Sequence, residues 1–187
     1  ALAMLQTWDK PSPKDRVLNF WRPLHSRERE PAAAALRTNL PGIFSGSPQV
    51  QAEGAKVAAE LGIREVGPAL FTLLADKTQP PQVRADSLAA LATLKDPGLE
   101  KAVETSLKDD AALVRVSARN VLLRLKPTDA LASMEEAVLK GETVERQAAL
   151  HSLAKFAQPG TNAIFSKALD ELVAGNYPAA ARLDLVE

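Results

Sequence analysis

The feature that most constrains the fold of this chain is a repeat between residues 47 and 187, with a period of 31 residues over three units and of 33 residues for the copy upstream of them. Arg84, Arg115 and Arg146 stand at the same place in three successive units. Self-similarity at such a period is typical of helical repeat proteins, in which each unit buries its apolar face against its neighbours. The apolar positions that recur are Leu91, Leu122 and Leu153; Leu94, Leu125 and Phe156; Val103, Met134 and Phe165; and Leu107, Val138 and Leu169.

Each unit contains two stretches with the spacing of an amphipathic helix. In one unit, Leu88, Leu91 and Leu94 form the first stripe, and the second stretch has an apolar residue at every fourth position. Such spacings place side chains on one face of an α-helix. A turn with proline separates the stretches, because proline is tolerated in the first turn of a helix but not in its interior. These turns are Asp96-Pro97-Gly98, Lys126-Pro127-Thr128 and Gln158-Pro159-Gly160.

The pattern therefore predicts an all-α protein of about four helical hairpins that stack into a solenoid, since a single hairpin cannot bury both of its apolar faces. Leu122 lies in a central unit, and we expect its replacement by alanine to cost about 2–5 kcal/mol. Arg182 stands where a further, partial unit requires an arginine. The predicted repeats are residues 47–79, 80–110, 111–141 and 142–177, with a partial repeat at 178–187, and residues 1–46 form an atypical N-terminal helical cap.

Residues 1–46 depart from the period and hold both tryptophans. We expect short helical segments at residues 1–8 and 15–21, and a longer helix at 28–40 that ends before Pro41. A solenoid needs an atypical terminal unit to cover its first apolar face. The side chains interpreted as that cover are Trp8, Phe20, Trp21 and Leu24. The alternative is that Trp21 is an exposed anchor for a partner.

The repeat itself, V-R-x-x-A/S-x-x-x-L-x-x-L followed by a turn with proline, resembles the short HEAT-like repeat of the phycobilisome-lyase type. The resemblance implies a right-handed α-α superhelix of the HEAT or armadillo kind. It also implies an Asp–Arg ladder between neighbouring repeats, in which the arginines are structural. The ladder residues would be Asp110, Arg84, Arg115 and Arg146, and Glu142 is a further candidate acid beside Arg146.

The residues that carry chemistry do not form a catalytic pattern. The chain has no cysteine, which excludes thiolate metal sites, haem attachment and cysteine nucleophiles. Its two histidines, His25 and His151, lie far apart, and no phosphate-binding glycine motif is present. Adjacent carboxylates such as Glu135 and Glu136 point in different directions on a helix. We therefore predict a protein that is not an enzyme and that uses no cofactor and no metal.

The charge balance points to a protein partner. Lys and Arg number 23, as do Asp and Glu, so the net charge is zero. A nucleic-acid-binding protein usually has a basic face, and no apolar run is long enough to span a membrane. We expect a monomer that contacts flanking domains of its own chain or a separate protein. The partner-binding candidates are Trp21 and the polar residues of the second helices, which would line a concave face: Lys101, Glu104, Lys108, Glu135, Lys167 and Asp170.

The N-terminal W-D-K-P-S-x-x-D-R-V-x-x-x-W-R-P-L, together with these repeats, resembles a narrower family. It is similar to the HEAT-like middle region of large exported planctomycete proteins, which carry a sugar-dehydrogenase-like propeller upstream and a haem-c domain downstream. The matching residues are Trp8, Lys10, Pro11, Asp15, Arg16, Trp21, Arg22, Pro23 and Leu24. The propeller and the Cys-x-x-Cys-His motif are not in this sequence, so the resemblance implies a spacer between redox domains and an exported, periplasm-like location.

The sequence thus predicts a non-catalytic helical-repeat scaffold for protein–protein or interdomain interaction, and we interpret it as a piece of a multidomain exported redox protein. The alternative is a stand-alone adaptor that binds a protein or peptide in its concave groove. A HEAT-like enzyme or nucleic-acid binder is the least favoured reading, because it lacks both a catalytic constellation and a basic face.

Overall fold

The computed structural model describes residues 2–15, 17–156 and 159–186. This part of the chain folds into eleven α-helices and two short 3-10 turns, and it contains no β-strand. The prediction of an all-α protein is therefore confirmed. The helices are α1 (Leu2–Gln6), α2 (Glu30–Phe44), α3 (Pro48–Glu60), α4 (Gly67–Ala75), α5 (Pro81–Leu94), α6 (Leu99–Ser106), α7 (Ala112–Leu125), α8 (Pro127–Lys140), α9 (Thr143–Lys155), α10 (Thr161–Val173) and α11 (Arg182–Val186).

The helices form two compact units, Ala1–Pro97 and Gly98–Glu187. In the first unit α3 packs against α5, α4 packs against α5, and α1 and α2 pack against α3. Its core is made of fully buried aliphatic side chains on these helices: Leu36, Val57, Leu70, Leu88 and Leu91. The long first helices of two predicted hairpins therefore lie side by side, as burial of their apolar stripes requires.

In the second unit α7 packs against α6, α8 and α9, and the sequence of contacts continues from α8 to α10 and from α9 to α11. The core contains Met134, Leu150, Leu153 and Ile164, and it also contains Tyr177, which is 2% exposed. The contacts of this unit thus join helices that are consecutive in the chain or that are separated by one helix. This is the pattern that consecutive amphipathic hairpins produce.

The predicted proline turns lie at helix boundaries. Pro97 lies between α5 and α6, Pro127 is the first residue of α8, and Pro159 lies between α9 and α10. The fixed φ of proline suits the first helical position, where its missing N–H leaves no hydrogen bond unmade. Gln158 of the third turn lies outside the described residues.

The expected end of α2 at Pro41 is wrong, because the helix continues through this proline to Phe44. Proline costs a helix interior one hydrogen bond and crowds the preceding turn. Here the last turn carries Ile43, which is 9% exposed and lies close to Gly54 of α3. Burial of Ile43 against α3 explains why the helix extends past a residue that would otherwise end it.

The repeat spacing does not fix the rotation of α7. Leu91 and Leu153 are completely buried, whereas the aligned Leu122 is only partly buried and its neighbour Leu123 is 1% exposed. Leu125 is 46% exposed and Phe156 37%, although the aligned Leu94 is buried. A shift of one residue on a helix rotates the buried face by about 100°, and this helix turns Leu123 inwards.

Gly54 provides a test of the close approach of α2 and α3. A Cβ added at Gly54 would lie 2.1 Å from Cγ2 of Ile43. Alanine is the better helix former by about 1 kcal/mol, yet we expect Gly54→Ala to destabilise the protein by about 1–3 kcal/mol, because the helices must separate or Ile43 must rotate. At Gly42 of α2 an added Cβ meets nothing within 4 Å.

Gly42→Ala is therefore the matched control, and we expect it to raise the free energy of unfolding by up to about 1 kcal/mol. Urea unfolding of the two variants measures both changes. If the two alanine substitutions had the same sign and size, the close contact between α2 and α3 would be refuted.

Candidate functional site

The repeat arginines bind the ends of preceding helices. Arg84 Nε donates to the carbonyl oxygen of Leu74, near the end of α4, at 2.9 Å. Arg146 Nη1 donates to the carbonyl oxygen of Val138, near the end of α8, at 2.7 Å. Arg146 Nε also donates to the carbonyl oxygen of Gly141, the residue after α8, at 2.8 Å. Arg182 Nε instead donates to the carbonyl oxygen of Tyr177 (3.0 Å), in the connection that follows α10. The last carbonyls of a helix lack partners within it and carry partial negative charge, so a guanidinium satisfies them.

Arg115 has both carbonyl and carboxylate partners. Its Nη1 donates to the carbonyl oxygens of Asp109 (2.7 Å) and Asp110 (3.0 Å). Its Nε and Nη2 donate in bidentate fashion to Glu145 of α9, at 2.8 and 2.7 Å, and Nη2 also donates to Glu142 at 2.7 Å. Arg115 thus binds the backbone carbonyl of Asp110. The carboxylates that it binds, those of Glu142 and Glu145, follow α8 in the chain. Glu142, the candidate acid beside Arg146, binds Arg115. The hydrogen bonds of Arg146 given above go to backbone carbonyl oxygens.

The sequence reasoning missed a buried ion pair between α7 and α9. Arg119, 8% exposed, donates from Nη1 to Oε1 of Glu145, which is 3% exposed. Arg119 also donates from Nε to Ser133 Oγ of α8 at 3.2 Å. Both charged residues occupy core positions of the repeat. The aligned residues of other units are Leu88 and Leu150 for Arg119, and Val83 and Val114 for Glu145. The presence of two opposite charges at apolar positions of neighbouring repeats is visible in the sequence and could have predicted this pair.

The surroundings of Glu145 hold it in its charged form. Burial acts to raise the pKa of this carboxyl, but hydrogen bonds from Arg115 and Arg119 outweigh burial and lower the pKa to about 2. The Glu145 carboxylate also accepts from the backbone N–H of Glu142 at 3.0 Å, which completes a capping box at the start of α9. Hydrogen bonding to Glu145 likewise raises the pKa of Arg115, so both partners remain ionised at neutral pH.

This carboxylate makes the stability depend on pH. Its pKa is about 4.5 in an unfolded chain and about 2 in the fold, so its contribution is complete above about pH 5 and is lost as the pH falls towards about 2. We expect the wild type to lose about 2 kcal/mol more than the double variant Arg119→Leu with Glu145→Val between about pH 6 and pH 3. Urea unfolding at a series of pH values measures this difference, and parallel curves for the two proteins would contradict it.

Two of the polar candidates on the second helices are paired with each other. Glu135 of α8 and Lys167 of α10 form an ion pair in which the side chains are 33% and 56% exposed. Exposed pairs of this kind stabilise a fold by up to about 1 kcal/mol. The candidates that lie exposed at the surface are Lys101, Glu104, Lys108 and Asp170. These residues mix both charges, and their role in binding a partner stays a prediction.

The N-terminal segment exposes most of the side chains that were expected to cover the first apolar face. Phe20 is 58% exposed, Trp21 68% and Leu24 57%, and Val17 is 89% exposed. The packing role predicted for Phe20, Trp21 and Leu24 is therefore wrong. In place of the expected helical turns, the described residues form a turn at 17–18, and an antiparallel bridge joins Lys14 to Trp21. Arg16 lies outside the described residues.

Trp8 lies at the base of this segment and is partly buried. Its Nε1 donates to the carbonyl oxygen of Glu28 at 3.0 Å, and the guanidinium of Arg27 lies 4.8 Å from the centre of its ring. Trp8 is also part of the lining of a cleft of about 410 Å³. The apolar side chains of this cleft, here named the N-terminal cleft, are Met4, Leu5, Trp8, Pro11 and Leu24. The cleft has the size of a ligand pocket and an apolar floor.

Within the described residues, no group of three or more His, Asp or Glu side chains is placed to hold a metal ion. No helix in this part of the chain has the length and apolar character needed to cross a bilayer. In comparisons with known proteins, no family model matches the chain and no curated protein matches it significantly.

Proposed function

We propose that this chain is a non-catalytic helical scaffold that binds another protein part through its N-terminal segment. The observation that carries the proposal is the run of exposed apolar side chains within residues 17–24. Val17, Leu18, Phe20, Trp21 and Leu24 are each more than half exposed. Tryptophan and other aromatic side chains are enriched among the residues that dominate binding energy at protein interfaces, and concentrated exposed apolar surface marks such sites.

Specific contacts tie down the chain that carries these side chains. Asp9 Oδ2 accepts from Arg29 Nε at 2.6 Å, and Arg27 N donates to the carbonyl oxygen of Asp9 at 3.0 Å. Asp15 Oδ1 accepts from the backbone N–H groups of the two residues at 17–18. A segment that is already ordered loses less conformational entropy on binding than a disordered one. The exposed side chains therefore form a preorganised binding surface.

The binding role of this surface can be tested with the double variant Phe20→Ser with Trp21→Ser. Peptides selected from a random display library on the wild-type chain should bind the variant at least about tenfold more weakly, the loss typical of interface anchors. The melting temperature should not change, because both side chains are exposed. Val173→Ser removes an apolar residue that is 88% exposed on α10 and is the matched control. Peptides that bind all three proteins equally would refute the proposal.

The scaffold is proposed to be a right-handed α-α superhelix of HEAT-like hairpins. The ordered packing of helices within each unit and the recurrence of arginines at helix ends support it. A stack of hairpins is longer than a globule of the same mass. Small-angle scattering should give a radius of gyration clearly above the ~16 Å of a compact domain of 187 residues. A value at or below ~16 Å would exclude the stack.

Such a scaffold would serve as a spacer that holds redox domains of one exported protein at a fixed distance, and the resemblance of its N-terminal motif supports this. The alternative is a stand-alone adaptor with a separate partner. The coding sequence on both sides of this segment discriminates between them. A strand-rich domain upstream with Cys-x-x-Cys-His downstream would support the spacer, whereas nearby start and stop codons would support the adaptor.

A further inference from the structure

The charges around the N-terminal cleft indicate what kind of segment it binds. Of the described residues that line it, three are cationic, namely Lys14, Arg22 and Arg27, and Asp15 carries the one carboxylate. Arg22 is 69% exposed as a side chain, and Lys14 is exposed. The apolar floor is therefore rimmed by an excess of positive charge.

Two carboxylates of this region, those of Asp15 and Asp9, are engaged within the fold. Asp15 Oδ1 accepts from the N–H groups of Val17 (2.8 Å) and Leu18 (2.7 Å), and Oδ2 lies 3.8 Å from Arg22 Nη1. Asp9 is bound to Arg29, and its side chain is 14% exposed. These acids act within the fold, so the charge that the rim offers to a partner is mainly that of Lys14, Arg22 and Arg27.

The apolar surface extends beyond the cleft. Hydrogen bonds from Asp15 N to Phe20 O (2.9 Å) and from Arg22 N to Pro13 O (2.8 Å) hold residues 20–22 beside residues 13–15. Phe20 and Trp21 therefore stand next to the cationic edge of the cleft, with 58% and 68% of their surface exposed. A peptide can contact the cleft and these exposed aromatic side chains together.

We infer that the N-terminal cleft binds an acidic peptide segment with apolar side chains, in which carboxylates meet Lys14 and Arg22 and apolar side chains enter the cleft and cover Trp21. The inference rests on the proposed function and specifies the partner. Opposite charges at the rim favour encounter and select against basic partners. The buried apolar area supplies most of the affinity.

A pair of synthetic peptides tests this inference. One alternates glutamate with leucine and phenylalanine, and the other has lysine in place of each glutamate. Both tryptophans of the chain, Trp8 and Trp21, lie in this region, so intrinsic fluorescence reports binding there. The acidic peptide should bind at least about tenfold more tightly than the basic one, and the ratio should fall as salt is added.

The double variant Lys14→Glu with Arg22→Glu should weaken the acidic peptide at least about tenfold. Arg124→Glu with Lys155→Glu makes the same change of charge at exposed sites elsewhere and should leave binding unchanged. Equal binding of the two peptides, or tighter binding of the basic one, overturns the inference. The proposed function, binding through the exposed side chains of residues 17–24, still stands in that case if Phe20→Ser with Trp21→Ser abolishes binding. Binding of neither peptide overturns the inference, and the display selection described above then decides the proposed function separately. Concentration-dependent dimers that this aromatic double variant abolishes would assign the surface to a second copy and overturn the inference.

Discussion

Glu145→Val should lower the free energy of unfolding by about 3–5 kcal/mol, the cost of leaving one partner of a buried ion pair without the other. Valine is the residue that aligned units have at this position, as at Val83 and Val114, so the change in shape is one that the repeat accommodates. The cost arises because Arg119, 8% exposed, loses its carboxylate. Arg115 loses its bidentate partner at the same time. Urea unfolding measures the change.

The compensating variant is Arg119→Leu combined with Glu145→Val, which gives both positions the residues of the other units. Replacement of a buried ion pair by apolar side chains is often neutral or stabilising, so we expect the double variant within about 1 kcal/mol of the wild type. The coupling energy between the two sites should then exceed about 2 kcal/mol.

The exposed pair Glu135 and Lys167 is the control for this cycle, and its coupling should stay below about 1 kcal/mol. Additive effects of Arg119→Leu and Glu145→Val, with a coupling below about 0.5 kcal/mol, would show that the buried pair does not form in solution.

Leu123→Ala should cost about 2–5 kcal/mol, whereas Leu122→Ala should cost less than about 2 kcal/mol. The two substitutions remove the same atoms from neighbouring residues of α7. Leu123 is 1% exposed, and Leu122 is partly buried at the margin of the core. The larger cavity and the greater loss of buried area therefore arise at Leu123.

Denaturant unfolding of the two variants distinguishes the structure from the repeat alignment, which places Leu122 in the core with Leu91 and Leu153. Leu153→Ala is the positive control, because Leu153 is completely buried. If Leu122→Ala were the more costly of the neighbouring pair, α7 would have to be rotated relative to the structure described above.

Much of the secondary structure could be predicted because it depends on neighbours in the chain. The hairpin boundaries at Pro97, Pro127 and Pro159 follow from the fixed φ of proline and from the apolar periodicity on either side. The wrong prediction that α2 ends at Pro41 also comes from local geometry alone. A rule based on local geometry could not include the burial of Ile43 beside Gly54, which a tertiary contact supplies.

The candidate site was predicted less well than the helices. Trp21 was named as a partner-binding candidate, but its packing role was preferred, and the structure exposes it. Tyr177 lies between α10 and α11, where no apolar periodicity marks it as a core residue, yet it is 2% exposed and its hydroxyl donates to the carbonyl oxygen of Val138 at 3.1 Å. Arg146 lies over its ring, with the guanidinium 5.3 Å from the ring centre. Such contacts join residues that are distant in the chain, so they cannot be read from a single sequence.

The sequence by itself determined that the chain is helical, where most of the helices end, and which arginines recur at the same place in each unit. These properties follow from backbone geometry and side-chain spacing over a few residues. Only the tertiary structure decided that Arg119 and Glu145 meet in the core, that Leu123 rather than Leu122 faces inwards, and that Phe20 and Trp21 remain exposed. The reason is that burial and ion pairing are properties of groups brought together by packing. Several rotations of a helix satisfy the same local pattern, and the sum of long-range contacts selects one of them.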